Sequence, residues 1–461
     1  MNTAQLSQAG ENKMRVMPVG RLLFSMALPL VSSMLIQALY NVVDSIYVSR
    51  VSEQAVTALS LAFPVQNLQI GFATGIAVGV NSLLSKSLGE GNSQRANTAA
   101  GNGIFLVGIV TVVFMLFGFF GSRPYYAIQS QVAETVEGGT AYTSICCIFS
   151  LGIFAEVLGE RILQASGRTI YTLFTQGTGA ILNILLDPVF MFGWFGLPAM
   201  GIAGAAVATV IGQWVAAILA IIFNLKCNPD VRFGASFLKP DWSVLRPVLV
   251  VSVPSIIMMA IGSVMNFGMN QILLSFRRYG ETAAGVFGIY YKLQSFFFMP
   301  LFGLNNATIS IVAYNYGARQ PQRITKTLKL AVTAALCVTC LGLLIFQTVP
   351  ELLLGIFHPS PDFLAIGISA LRIISFHFPM AAICIALGAS FQALGNGVYS
   401  TVTSLCRQLI VLLPAAYLLS LTGEVHNVWW AFPIAEVVSM IATLLFFLRI
   451  YRQKVRPLAA A

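Results

Sequence analysis

The sequence predicts an all-α integral membrane protein of twelve transmembrane helices arranged as two six-helix repeats. Three observations carry that prediction. The charged fraction is too small to coat a water-facing surface, twelve apolar stretches are long enough to cross a bilayer, and one residue register holds across both halves. Of 461 residues, 57% are hydrophobic and 9% are charged, with a mean hydropathy of +0.82. Soluble domains are nearer a quarter charged. A soluble enzyme, a disordered chain and a fibrous chain are therefore excluded. The apolar stretches run about twenty residues or more, unlike the roughly ten-residue alternating strands of a membrane barrel.

The first span, 22–48, follows a short polar segment and is too long for the apolar part of a cleaved signal peptide. It contains Pro29 and ends in the polar run Gln37, Tyr40, Asn41 and Asp44. The next spans are 55–84, 97–120 and 139–163, the last holding Glu156 and Glu160. The fifth, 171–192, holds Asn183, Asp187 and Pro188, and the sixth, 200–225, holds Thr209. A polar linker, 226–246, then divides the chain into a first lobe at 1–225 and a second at 247–461. The remaining spans are 247–275, 283–314, 327–348, 363–391, 399–420 and 428–450. Lys292 lies in the eighth, Cys337-x-x-Cys340 in the ninth, Arg372 in the tenth and Glu436 in the twelfth. The Cys pair has no second pair nearby and reads as packing rather than a metal or redox site. The final Leu-Ala-Ala-Ala is either native or an appended remnant.

An even number of spans puts both termini on one side. Fifteen basic residues, from Lys13 and Arg15 to Lys454 and Arg456, fall in one set of loops, against Arg50, Arg123, Arg277 and Arg278 in the other. The positive-inside rule then places both termini in the cytoplasm, and the chain as a multi-pass protein of the cell (inner) membrane. It also accounts for the net charge of +10 without a nucleic-acid partner.

The halves are repeats. A shift of 228 residues superposes Glu53 on Glu281, Gln66 on Gln294, Gly75 on Gly303, Ser82 on Ser310, Gly89 on Gly317 and Arg95 on Arg323. The same shift carries Gln164-Ala165 onto Gln392-Ala393, Gly167 onto Gly395 and Thr175 onto Thr403. Every intervening loop must then match in length. Six spans per half means both repeats enter the membrane in the same direction, related by an axis along its normal. Transporters are built this way, with the binding cavity between the halves.

Five acids fall within spans: Asp44, Glu156, Glu160, Asp187 and Glu436. Each costs about 2.5–3.5 kcal/mol on insertion scales and requires a partner or a function. Gln37, Tyr40, Asn41 and Asp44 recur every three or four residues and share one helix face. Asn183 and Asp187, at i and i+4, share another. Both acids stand about a turn from the external ends of their helices, which points to one common site with Thr209 as a further oxygen. Pro188 predicts a broken helix lining a cavity. Desolvation and a neighbouring carboxylate both favour the protonated acid, so such a site can exchange H⁺ for a cation. The same oxygens suit Na⁺, with Asp44 and Asp187 as its ligands. Glu160 is expected to pair with Arg161, and Lys292 and Arg372 are expected to pair with acids or to snorkel. Glu156, Lys292 and Glu436 form a second tier of candidates for substrate contact. Pro29 is the candidate hinge.

The run from Pro29 through Gln37-Ala-Leu-Tyr40-Asn41-Val-Val-Asp44 resembles the multidrug and toxic compound extrusion family. So do Leu182-Asn183-Ile-Leu-Leu-Asp187-Pro188 and Gly193…Gly196-Leu-Pro-Ala-Met-Gly201-Ile-Ala-Gly204. Within it the chain is most similar to the prokaryotic branch named for a DNA-damage-inducible member. The resemblance implies a V-shaped, two-lobed transporter, acting as a monomer and without a cofactor. It implies export of organic cations in exchange for H⁺ or Na⁺ by alternating access, with Asp44 as the essential carboxylate. Gln37, Tyr40, Asn183, Asp187 and Thr209 would complete its polar cluster. A lipid-linked saccharide flippase is the alternative in this architecture, but its pyrophosphate would need a basic cavity. A membrane-embedded enzyme lacks any supporting motif.

Overall fold

A computed structural model describes residues 12–49, 51–355, 357 and 360–459. Arg50 and the last two alanines, on which sequence expectations were placed, lie outside the described residues. The first six helical passes are α1 (Val19–Ser49), α2 (Glu53–Gly89), α3 (Ser93–Leu116, extended by Phe117–Gly121 and Ser122–Gln129), α4 (Ala133–Ile148 with Leu151–Ala165), α5 (Ile170–Phe192) and α6 (Ile202–Cys227). The second six are α7 (Trp242–Leu274), α8 (Gly280–Gly317), α9 (Pro321–Thr348), α10 (Pro361–Ser375 with Phe378–Ala393), α11 (Gly397–Leu405, Cys406–Val411, Leu412–Ser420) and α12 (Ala431–Ile450). Among the described residues, nine helices are long and apolar enough to cross a membrane, or eleven if each bent pair counts as one. The twelfth is α5, which falls short because it carries Gln176, Asn183 and Asp187.

The repeat is visible in local geometry. α4 and α10 bend by 45° and 46° at equivalent places. The turns after them are closed identically. Gly167 and Gly395 adopt left-handed φ of 82° and 74°, where a side chain would be strained. The next amides, of Arg168 and Asn396, each donate back to a carbonyl five residues earlier, at 2.7 Å in both halves.

Several prolines do not break their helices. Pro29, Pro64, Pro188, Pro254 and Pro300 all lie inside continuous helices. The expected break at Pro188 is therefore absent, and the one lost hydrogen bond is absorbed by the rest of a long helix. Nor are Cys337 and Cys340 packing residues: both are exposed on α9. The linker is tied to α3 by hydrogen bonds. Asn97 Oδ1 accepts from the Arg232 amide at 2.8 Å. Asn102 donates to the carbonyls of Phe237 and Lys239 at 3.2 and 3.0 Å and accepts from the Asp241 amide at 2.8 Å. Two side chains of α3 thus bolt it down.

The N-terminal segment, the turns after α2 and α8, the linker and the end of α12 share one side of the molecule, the terminal side. Arg323 joins them, donating at 2.8 Å to each of the Met14 and Met17 carbonyls. Lys454 donates to the Leu394 carbonyl at 2.6 Å. Burial there and the neighbouring Arg168 guanidinium lower the Lys13 ammonium below its usual value.

The lobes also meet on this side. A Cβ on Gly89 of α2 would collide with the Tyr314 carbonyl of α8, and one on Gly317 of α8 would collide with the Lys86 carbonyl of α2. These are the same contact read from each repeat. Gly75 against Ile256 and Gly303 against Leu30 and Val31 form a second such pair. Ser82 donates to the Gln392 carbonyl at 2.8 Å and Ser310 to Asn81 Oδ1 at 3.1 Å. Three hydrophobic clusters mix residues of both lobes at this end. Toward the other side the cores separate: one cluster around Tyr126 and Tyr142 is built from the first lobe alone, and another around Tyr290 and Trp429 from the second alone. The shared packing is thus on the terminal side, and each lobe keeps a core of its own toward the opposite one.

Gly89→Val and Gly317→Val should each wedge this seam apart, at about 1–3 kcal/mol for overpacking. Spin labels at Gln94 and Gln322, exposed equivalents on the terminal side, should move further apart in either variant. An unchanged distance distribution would refute the seam.

Candidate functional site

The acids predicted to act together do come together. Asp187 on α5 is fully buried, and Asp44 on α1 is half-buried. Asp44 lies close enough for its charge to act on Asp187. Each has an Oδ1 without a hydrogen-bond partner. Neither makes a salt bridge among the described residues.

Their other neighbours form a directed hydrogen-bond chain. The Asn183 amide satisfies its surroundings only with its nitrogen toward Asp187. In that orientation it donates to Asp187 Oδ2 at 3.0 Å and accepts from the Thr209 amide and hydroxyl at 3.0 and 3.1 Å. The i, i+4 spacing on α5 aligns Asn183 with Asp187, and the packing of α6 on α5 brings in Thr209. The Thr209 hydroxyl also bonds Tyr40 of α1. Tyr142 on α4 stands within reach of the Asp44 charge and accepts from Gln66 of α2 at 2.6 Å. Five helices of the first lobe therefore converge on one acidic site, beside the core that this lobe does not share with the other.

Not every predicted member joins it. Gln37 is exposed, two turns toward the terminal side on the same face as Asp44. The Asn41 side chain lies outside the described residues. Tyr142 and Gln66 were not anticipated; the signal was a Gln that recurs in both repeats inside an apolar span.

Glu160 is held by neutral donors rather than by the expected ion pair. Thr175 donates to one of its oxygens at 2.5 Å and Gln176 to the other at 2.8 Å. Glu156, half-buried, faces it from the previous turn. Lys292 and Arg372 are both exposed, and no salt bridge reaches either among the described residues. The basic partner inside the second lobe is a residue the sequence reading passed over, Arg407 on α11. Its Nη1 lies 3.7 Å from Glu436 Oε1. His377 of α10 stands on the other side, with Nδ1 3.8 Å from Glu436 Oε2. An arginine inside the span 399–420 was the available signal.

Two parallel repeats, each with its own core, and an acidic cluster inside the first fit a membrane transporter. The chain belongs to the MatE family, whose profile matches residues 29–189 and 254–418, once in each repeat. It is a membrane transporter and not an enzyme. It is 25% identical to a FAD transporter of Shewanella oneidensis, with 92% of this chain and 93% of that protein aligned. It is 20% identical to the multidrug export protein MepA of Staphylococcus saprophyticus, over 91% of each. The fold matches a solved outward-facing structure of a multidrug resistance MATE family transporter of the MOP superfamily. That match has a TM-score of 0.90 at 22% identity and covers 98% of this chain and 99% of the other.

Thr209→Val should remove the hydroxyl that links Tyr40 to Asn183 at nearly constant volume. The expected loss is about 1–2 kcal/mol for the hydrogen bonds broken, read as a lower melting temperature of the purified protein. Thr209→Ser should restore most of it; equal melting of the Val variant and the parent would contradict the chain.

Proposed function

We propose that this protein exports small organic cations across the cell (inner) membrane in exchange for H⁺, by alternating access of a site centred on Asp44 and Asp187. The observation that carries the reading is the fully buried Asp187 carboxylate beside the half-buried Asp44, each with an unpartnered oxygen and neither in a salt bridge among the described residues. Buried charge without a partner is costly, so the deprotonated site favours a cation and the protonated site releases it. Proton and cargo thus exclude each other at the same oxygens, which is what antiport requires. The aromatic rings of Tyr40 and Tyr142 beside the acids suit flat cations. The multidrug export relatives support this cargo class.

Protons suit the site better than Na⁺. The Asn183 amide presents N–H to Asp187 and spends its oxygen on Thr209, so it offers no oxygen to a metal ion at the acids. A pyrophosphate-bearing lipid is disfavoured because the site is acidic. The excess of basic residues on the terminal side supports a cytoplasmic position for both termini.

The decisive experiment is efflux of a fluorescent organic cation from proteoliposomes under an imposed proton gradient or sodium gradient, one at a time. Proton-driven efflux is expected, with Asp44→Asn and Asp187→Asn each lowering it at least about tenfold, the loss of a charge-assisted contact. In cells, Asp44→Asn should abolish drug resistance while the protein stays in the membrane. Movement driven by sodium alone would replace H⁺ with Na⁺. Movement of FAD without any organic cation would overturn the cargo class.

A further inference from the structure

The second lobe holds an ionisable cluster that transport through Asp44 and Asp187 does not use. Tyr290 of α8 is fully buried, and His377 and Glu436 are 6% and 3% exposed. His377 Nε2 and the Tyr290 hydroxyl are 2.9 Å apart. His377 Nδ1 has no hydrogen-bond partner, and the nearest acid atom is Glu436 Oε2 at 3.8 Å. Arg407 lies 3.7 Å from the other oxygen of the same carboxylate, with its side chain 26% exposed. Phe298, Phe378 and Phe432 pack their rings around the imidazole.

The cluster also occupies two irregular places in the helices. His377 caps the second segment of α10, at the 46° bend. The equivalent bend in α4 carries Phe149, so the bend belongs to the fold and the histidine only to this lobe. Arg407 lies in the π-helical stretch Cys406–Val411. The equivalent stretch of α5, 178–183, is ordinary α-helix. π-bulges occur often at functional sites because the extra residue redirects a side chain. Under the same register Glu436 falls beside the equivalent of Thr209, at the position of Ala208. The helix pair that builds the acidic site in the first lobe, α5 and α6, thus builds a charge-balanced one in the second, on α11 and α12.

We propose that His377 and Glu436 form a second proton-binding centre, in the second lobe, with Arg407 as the competing counter-ion and Tyr290 as the orienting hydrogen-bond partner. The groups facing the pair are Tyr290 and Tyr291 from α8, Cys384 from α10 itself and Arg407 from α11. A proton from water binds between Nδ1 and Oε2. The carboxylate then turns from Arg407 to the imidazole, and the partly exposed guanidinium is released. Because Tyr290 belongs to α8, whose other end forms the seam with α2, the change reaches the contact between lobes. This centre does not depend on the cargo or on the coupling ion of the first lobe.

The test is nitrogen NMR of the full chain in lipid nanodiscs with labelled histidine. There are three histidines, so signals are few, and His377→Gln assigns the one of interest. If that variant does not fold, replacing His358 and His426 together leaves His377 alone. The ring signals of His377 should pass through one transition between about pH 3 and 8. Glu436→Gln should move its midpoint down by about one unit or more, or remove it, and Arg407→Gln should move it up by a similar amount. Asp44→Asn should leave it in place. Constant His377 signals over that range, the same midpoint in Glu436→Gln as in the parent, or a midpoint displaced by Asp44→Asn would each overturn the proposal.

Discussion

The close approach of α2 and α8 on the terminal side is the contact on which the rest of the arrangement depends. Two helices can meet backbone to backbone only where neither carries a side chain, and Gly89 and Gly317 supply that at the same position of each repeat. Because the repeats are related by an axis along the membrane normal, one small-residue position produces both halves of the contact. The second pair, Gly75 and Gly303, repeats the device a few turns deeper. On the other side each lobe packs a separate core rich in aromatic rings.

Within that frame, the five acids inside the membrane are satisfied in three different ways. Glu160 accepts hydrogen bonds from a hydroxyl and an amide of the next helix. Glu436 is balanced between a guanidinium and an imidazole. Asp44 and Asp187 face each other with open lone pairs, and Glu156 stands half-buried beside Glu160. A bilayer tolerates each solution only where the protein encloses it. The third leaves lone pairs open to something from outside the protein, and this separates the proposed site from Glu160 and Glu436.

The membrane class, most of the span limits and the repeat were legible in the chain, because hydropathy and register are properties of consecutive residues; the third helix runs on to Gln129, well past the expected limit of 120. The acidic face of α1 and the Asn183–Asp187 pair of α5 were legible for the same reason: helical spacing alone aligns them. The prolines misled. Pro188 lies in a helix with enough remaining hydrogen bonds to run straight through it. Glu160 misled as well, since an adjacent arginine suggested an ion pair, yet neighbours in sequence point to different sides of a helix.

The sequence by itself determined which residues share a helix face, that two equivalent halves exist, and that charge inside the membrane is scarce and placed. Only the tertiary structure decided which faces meet. Asp44 finds Asp187 143 positions away because α1 packs on α5, and Arg407, His377 and Glu436 gather from three helices. Periodicity is local, so one strand of text can specify a face. The partner of that face is chosen by the fit of side chains and missing side chains across the bundle, which no local pattern records.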